Sequence, residues 1–391
     1  MTESLDDPAP DYTAPDGAAP DTAPDGAAPD DAAPDYTAWA GAAVRALQRW
    51  YDTRSGRWKT TGWWNAANAL TAVIAYTGRT GDQSYAGVIQ TTFARARRRH
   101  PGFIVGYYDD NLWWGLAWVA AYDLTGEDRF RDAARSIFEQ AVTGWDDTCG
   151  GGLWWSRART YKNAITSELF ITLAARLHQR TPGDQVLLDW ALRAWQWLRA
   201  SGMIGASGLV NDGLTAACGN NGGITWTYNQ GVILGGLAAL HEITGDPGYL
   251  AQGEAIAGAA LSRLARPAGR APGILVEPRE AETAPDDRDR PQFKGIFVRY
   301  LYDFSRRSAE PGYRDFILAN ARSLWERSRN ADDQFGLHWA GPFDRADAAR
   351  QTSALDVLNA AVALTAPVLP TPAPPTPAPP TPAPPTAGPP G

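Results

Sequence analysis

The chain has 391 residues, of which 44% are hydrophobic and 17 are tryptophan, and a formal net charge of −7. That length supports one large domain with a sizeable core, and no apolar run reaches the roughly 20 residues that a membrane-spanning helix needs. The acidity is local: residues 1–37 hold ten acidic and no basic residues, leaving 36 basic against 33 acidic elsewhere. No basic stripe appears, which argues against nucleic acid as a partner. The four histidines do not cluster with the two cysteines, so no metal site is expected. Nothing in the chain calls for a cofactor.

Residues 1–37 repeat "APDGAAPD" and are nearly free of large apolar side chains, so this segment is expected to be disordered. The N-terminus has no basic region followed by an apolar one, which reads as cytoplasmic rather than as a secretory signal. The folded unit is expected over 38–365. Residues 366–391 repeat "PTPAPP", which predicts an extended, disordered tail.

Within 38–365 one pattern recurs. A Gly- and Trp-rich loop leads into a polar motif that opens an apolar helix. Six segments fit: "GWWNAANALTAVIAY" from Gly62, "YDDNLWWGLAWVAAY" from Tyr108, "YKNAITSELFITLAARL" from Tyr161, "WTYNQGVILGGLAAL" from Trp226, "QFKGIFVRYLYDF" from Gln292 and "RQTSALDVLNAAVAL" from Arg350. Between them lie amphipathic helices such as 128–142, 184–200 and 248–264, with apolar residues at helical spacing and charges opposite. "DLTGED" and "EITGDPG" are helix-stop and helix-start signals. Strand-like alternation is scarce.

Two helices per unit and six units predict an all-α closed ring, an (α/α)6 barrel. A linear solenoid is the alternative, but it usually needs polar capping repeats, which are missing from the pattern. If the ring closes, all six motifs meet at one rim. The resulting cleft of Trp, Tyr, Asn, Gln and Asp suits a neutral polyhydroxylated ligand.

Asp109 and Asp110 lead the candidates for chemistry. Two adjacent carboxylates cannot both ionise comfortably, so one is held protonated. That supplies the ionised nucleophile and the protonated acid of glycoside hydrolysis. Adjacency favours the short carboxylate separation of a retaining enzyme, roughly 5–5.5 Å. The competing explanation is a solvated helix start, where Asp pairs with free N–H groups. Asp-Asp recurs at 146–147, 286–287 and 332–333, but only this pair sits between tyrosines and tryptophans.

The set "KTTGWWNAANALTA", "YYDDNLWWGLAWVAAYDLTG", "GGGLWWSRARTYKNAITSELFITLAARL", "LVNDGL", "TYNQGVILGGLAAL" and "FKGIFVRYL" closely resembles glycoside hydrolase family 76. These are endo-α-1,6-mannanases of bacteria, with fungal relatives. The resemblance runs in order over roughly residues 40–360. It implies an (α/α)6 fold, a retaining mechanism on α-mannan, and secretion. It casts Asp109 as nucleophile and Asp110 as acid/base.

The expected sugar contacts are Trp63, Asn65, Asn68, Tyr108, Trp113, Asn163, Thr166, Asp212, Tyr228, Asn229, Gln230 and Lys294. At least one of Asn163 and Thr166, and at least one of Asn229 and Gln230, is expected in the cleft. Asn65 and Asn68 can serve a helix start, and Asp212 can tie a turn. In each pair, Trp63 with Trp64 and Trp113 with Trp114, one ring is expected to pack inward. The only lysines, Lys59, Lys162 and Lys294, all fall in rim motifs. His178 and His241 lie at helix ends, where capping is expected. Cys149 and Cys218 sit in loops that a closed ring makes neighbours, so in an oxidising compartment they are a candidate disulfide. A monomer is expected. The other readings are a non-catalytic or transglycosylating mannan-binding protein and another (α/α)6 sugar enzyme. An epimerase would typically use His, and none lies in a rim motif.

Overall fold

From Asp35 onward helix follows helix. The computed structural model describes residues 33–366 except 269, 270, 283, 285 and 286. The low-complexity segments 1–37 and 366–391 therefore lie outside the described residues, apart from 33–37 and 366.

The helices are α1 (Tyr36–Gln48), α2 (Trp63–Thr80), α3 (Ala86–Arg99), α4 (Tyr108–Thr125), α5 (Asp128–Val142), α6 (Ala164–Arg180), α7 (Gln185–Ala200), α8 (Thr227–Thr244), α9 (Gly248–Arg263), α10 (Arg290–Ser305), α11 (Gly312–Arg327) and α12 (Ala348–Thr365). Two short antiparallel hairpins interrupt them: β1 (Tyr51–Asp52) with β2 (Arg57–Trp58), and β3 (Ala265–Ala268) with β4 (Ala271–Leu275).

The even-numbered helices form the inner ring. Each packs on the next, and α12 packs back on α2. The odd-numbered helices lie outside, with α5 on α4, α7 on α6, α9 on α8 and α1 on α12. This is the closed (α/α)6 barrel, and closure excludes the linear solenoid. The division follows from the sequences. α5 buries only Phe130, Ala134, Ile137, Phe138 and Ala141, a single stripe at helical spacing. α6 buries nearly every residue from Ala164 to Ala175, as a helix surrounded by others must.

Close packing of the ring depends on small residues. A Cβ on Gly231 of α8 would lie 2.6 Å from the Phe297 Cα of α10. One on Gly295 of α10 would lie 2.5 Å from the Ser353 Cα of α12. Polar ties add to the packing. Arg299 of α10 grips Asp356 of α12 through two buried bonds, Nε to Oδ1 at 3.0 Å and Nη2 to Oδ2 at 2.6 Å. Asn359 of α12 donates to the Ala72 carbonyl of α2 at 2.9 Å, across the seam. The stop signals read from sequence act as such: Gly126 and Gly245 close α4 and α8 with φ of 71° and 74°, the left-handed region that glycine enters freely.

One boundary differs from the sequence reading. The Asp35 carboxylate caps α1 by accepting the Ala38 N–H at 2.9 Å, and Tyr36 is buried against Trp39. The barrel therefore starts inside the acidic segment, three residues before position 38. Composition hid this, because Asp35 and Tyr36 follow an Ala/Pro repeat without a break.

Candidate active site

All inner helices present their N-termini to the same pole. There, a cavity of about 650 Å³ is walled by α2, α4, α8, α10 and the loops before these helices and before α6. Its polar lining comprises Asn65, Asp109, Asp110, Tyr161, Asn163, Asp212, Tyr228, Asp287, Arg288 and Asp289. Its aromatic lining adds Trp64, Tyr107, Trp113, Trp155 and Phe293. The α12 motif does not line it. Arg350 is instead buried, pairing with Asp344 and Asp347, so five rather than six motifs reach the cleft.

Asp109 and Asp110 lie in the first turn of α4, next to its N-cap Tyr107. Burial is the main cause that pushes both carboxyls up from the ordinary range. Asp109 also accepts the Trp155 indole N–H, which lowers it. On Asp110 the neighbouring charges of Asp109 and Asp289 push further up. Burial thus raises both carboxyls, and only Asp109 has a side-chain donor that works against the rise. A helix N-terminus also favours an anion there.

The lining residues brace one another. Trp64 stacks at 5.7 Å on Trp113 and donates its Nε1–H to Asp289 at 2.9 Å. Tyr228 stacks on Phe293 at 3.9 Å. The Tyr161 hydroxyl donates to Asp212 Oδ2. Asp212 is pushed up by burial, against the pull of Tyr161 and Trp226. Cys149 and Cys218 form a disulfide with Cα atoms 5.2 Å apart, joining the loop before α6 to the loop before α8. Among the described residues no group of acidic, His and Cys side chains is arranged to hold a metal.

Of the residues expected from sequence, Asp109, Asp110, Asn65, Trp113, Asn163, Asp212 and Tyr228 line the cavity. The two asparagines among them spend bonds internally. Asn65 donates to the Arg288 carbonyl and to Gln292 Oε1 and accepts the Gly62 N–H. The Asn163 Oδ1 caps α6 by accepting from Thr166.

The other seven do not line the cavity. Trp63 packs behind the wall on Trp114 and His100, so Trp64 is the ring at the cleft. Tyr108 turns inward toward Thr143, and Tyr107 lines the cavity instead. Thr166 is buried on Asn163. Asn68 is buried on the Trp64 carbonyl, and Asn229 is buried without a protein hydrogen-bond partner. Gln230 clamps the backbone of Val210 from both sides. Lys294 is buried, bonded to Glu280 and to the Leu337 carbonyl at 2.7 Å each. Lys162 is likewise buried on Asp146 and two carbonyls, whereas Lys59 is exposed. The lysine pattern therefore reports loop anchors. His178 and His241 bond the Asp184 and Asp246 carbonyls beyond their helix ends.

Asp289, Trp155 and Phe293 were not singled out by sequence. Asp289 is the N-cap residue of α10, and Trp155 belongs to a third Trp-Trp pair. Both signals were present, but only the ring places them beside α4.

The comparisons with known proteins accord with this geometry. The profile of Glycosyl hydrolase family 76 matches residues 35–372. The chain belongs to this family. A Schizosaccharomyces pombe relative is 26% identical over 259 residues, covering 61% of this family 76 chain and 57% of the relative. The chain thus spans a little over half the length of that relative. The mannan endo-1,6-alpha-mannosidase DFG5 of Candida albicans is 26% identical over 334 residues, 77% of this chain and 72% of the relative. An α-1,6-mannanase of Salegentibacter sp. HEL1_6 shares the fold with a TM-score of 0.73 at 25% identity, covering 84% of this chain and all of that one. An inactive variant of it, with two consecutive aspartates changed to alanine, is solved with bound α-1,6-mannotetraose. That structure aligns with a TM-score of 0.75 at 24% identity, over 85% of this chain.

Proposed function

We propose that this family 76 chain is a retaining glycoside hydrolase that cleaves α-1,6-mannosidic bonds within mannan. One observation carries the reading: an adjacent, electrostatically unequal carboxylate pair on the floor of an aromatic-walled cleft. The curated relatives named as mannan endo-1,6-alpha-mannosidases support the substrate and the endo action. The double-aspartate change in the inactive Salegentibacter variant supports the choice of pair.

In this mechanism Asp110 donates its proton to the glycosidic oxygen as the bond to the anomeric carbon breaks. The Asp109 carboxylate attacks that carbon and forms a covalent glycosyl ester. Asp110, now ionised, takes a proton from water. The water oxygen attacks the same carbon and releases Asp109 as a carboxylate. Two inversions give net retention. Trp64, Trp113 and Trp155 offer faces for stacking on sugar C–H surfaces.

The test is proton NMR of linear α-1,6-mannan during digestion. The expected first-formed reducing ends are α, in a ladder of oligosaccharides. First-formed β ends, or no cleavage, would overturn the proposal. Asp110→Asn is expected to lower kcat by roughly 10²–10⁴-fold, and Asp109→Asn by at least as much.

A further inference from the structure

Asp109 and Asp110 are identical in chemistry and adjacent in sequence, so something outside the dipeptide must make them unequal. The difference lies in what reaches them. Trp155 donates its indole N–H to Asp109 Oδ2 at 2.9 Å. Among the described residues no side-chain hydrogen bond is recorded to Asp110.

Trp155 is a loop residue with 36% of its surface exposed, yet it is firmly held. Its backbone N–H donates to the Tyr161 carbonyl, and its carbonyl accepts the N–H of Tyr108, each at 2.8 Å. Tyr108 is the first residue of α4, so the loop is fastened to the helix that carries the pair. The indole packs on Tyr107 with centroids 4.9 Å apart. Behind it, the buried Lys162 ammonium gathers the loop through Asp146 Oδ1 and the carbonyls of Thr148 and Gly151. The Cys149–Cys218 disulfide fixes the far side of that turn. An exposed ring on so anchored a backbone is a placed donor.

We infer that Trp155 is a positioning residue that assigns the two roles within the pair. Its N–H holds Asp109 as the ionised nucleophile and leaves Asp110 to carry the proton. This rests on the proposed function. A hydrogen bond to the charged form of a carboxyl favours that form, and bonds to an ionised acceptor are about twice as strong as neutral ones.

The backbone N–H groups of Asp109 and Asp110 also lower the Asp109 carboxyl, by less than Trp155 does, and among the described residues Trp155 is its one side-chain donor. Asp110 of α4, Asp287 and Asp289 before α10, and Asp212 before α8 are acidic. Tyr228 of α8 and Tyr161 before α6 are neutral, and α2 contributes no charged group to the cavity. Among the described residues Arg288 is the one cation in the lining, and it makes no hydrogen bond there to either catalytic carboxyl.

The test is Trp155→Phe, which keeps a ring and removes the N–H. A donor role predicts that KM changes little and kcat falls roughly ten-fold, with the acidic limb of the kcat/KM profile moving up by about one pH unit. The sign follows from losing a bond that favoured ionised Asp109. A stacking role predicts a raised KM and an unmoved limb. If wild type cleaves mannan and Trp155→Phe leaves kcat and the limb in place, the inference fails while the proposed function stands. A second readout does not need turnover. In [15N]tryptophan-labelled protein, the indole resonance lost in Trp155→Phe is expected to shift with pH and to move in Asp109→Ala. A resonance indifferent to both overturns the inference even if wild type proves inactive on mannan.

Discussion

A carboxyl group that the folded state pushes toward its proton makes a protein less stable as pH rises. Burial, and then the charges of Asp109 and Asp289, do this to Asp110. The folded state binds the proton more tightly than the unfolded chain, so the penalty is absent below the ordinary carboxylate value near 4 and grows as pH climbs toward the raised folded value. Asp110→Asn removes it. The variant is expected to match wild-type Tm at pH 4 and exceed it at pH 8, as calorimetry at the two pH values will show. A constant gap would mean that the carboxyl is not displaced in the folded protein. The pair itself was legible from its aromatic flanks. Which ring of a Trp-Trp pair faces the cleft was not, because neighbours on a helix point about 100° apart and the choice depends on partners distant in sequence. His100 and Trp114 receive Trp63, while Trp113 and Phe293 receive Trp64. Lys294 misled for the same reason: the Glu280 that claims it arrives from the loop between β4 and α10.

Between elements, the tie of α10 to α12 is an ion pair cut off from water. Both Arg299 and Asp356 are buried. Burial raises the Asp356 carboxyl and Arg299 pulls it back down. Removing one partner strands the other, which typically costs about 3–5 kcal/mol. Asp356→Ala is therefore expected to lower stability by about that amount in denaturant titration. Replacing both residues by apolar ones of similar size, Arg299→Met with Asp356→Leu, should recover most of the loss. If the double variant is as unstable as the single, the pair is doing more than neutralising itself. Helix existence and order were readable because the inner helices carry few charges and the outer ones a single stripe. The short hairpin of β3 and β4 was not, since "ARPA" and "APGIL" lack the alternation that marks a strand.

At the scale of the whole ring, closure runs through α1, α2 and α12. Gln351 of α12 donates to the Ala43 carbonyl of α1 at 2.9 Å, and Arg322 of α11 donates to the Tyr36 hydroxyl at 3.2 Å. A chain beginning at Ala38 loses the Asp35 cap, typically worth about 0.5–2 kcal/mol, and a buried tyrosine worth about 1.5–3 kcal/mol by analogy with other large side chains. It should melt several degrees below a chain beginning at Ala33, as a thermal scan of the two will report. Equal melting temperatures would show that α1 needs neither residue.

The outer helix α1 packs along α12, with Ala43 tied to Gln351. Arg322 and Arg314 of α11 reach Tyr36 and Leu364 respectively, so the first and last turns of the barrel meet the same outer helix. A linker that follows α11 from Thr365 to Asp35 is therefore expected to splice the ring into a circle, which can be reopened at the exposed Pro182–Gly183 turn. Such a circular permutant would present every cleft-lining residue in its present place while the order of the hairpins along the chain changes, because the neighbours in space, rather than the order of synthesis, define the barrel.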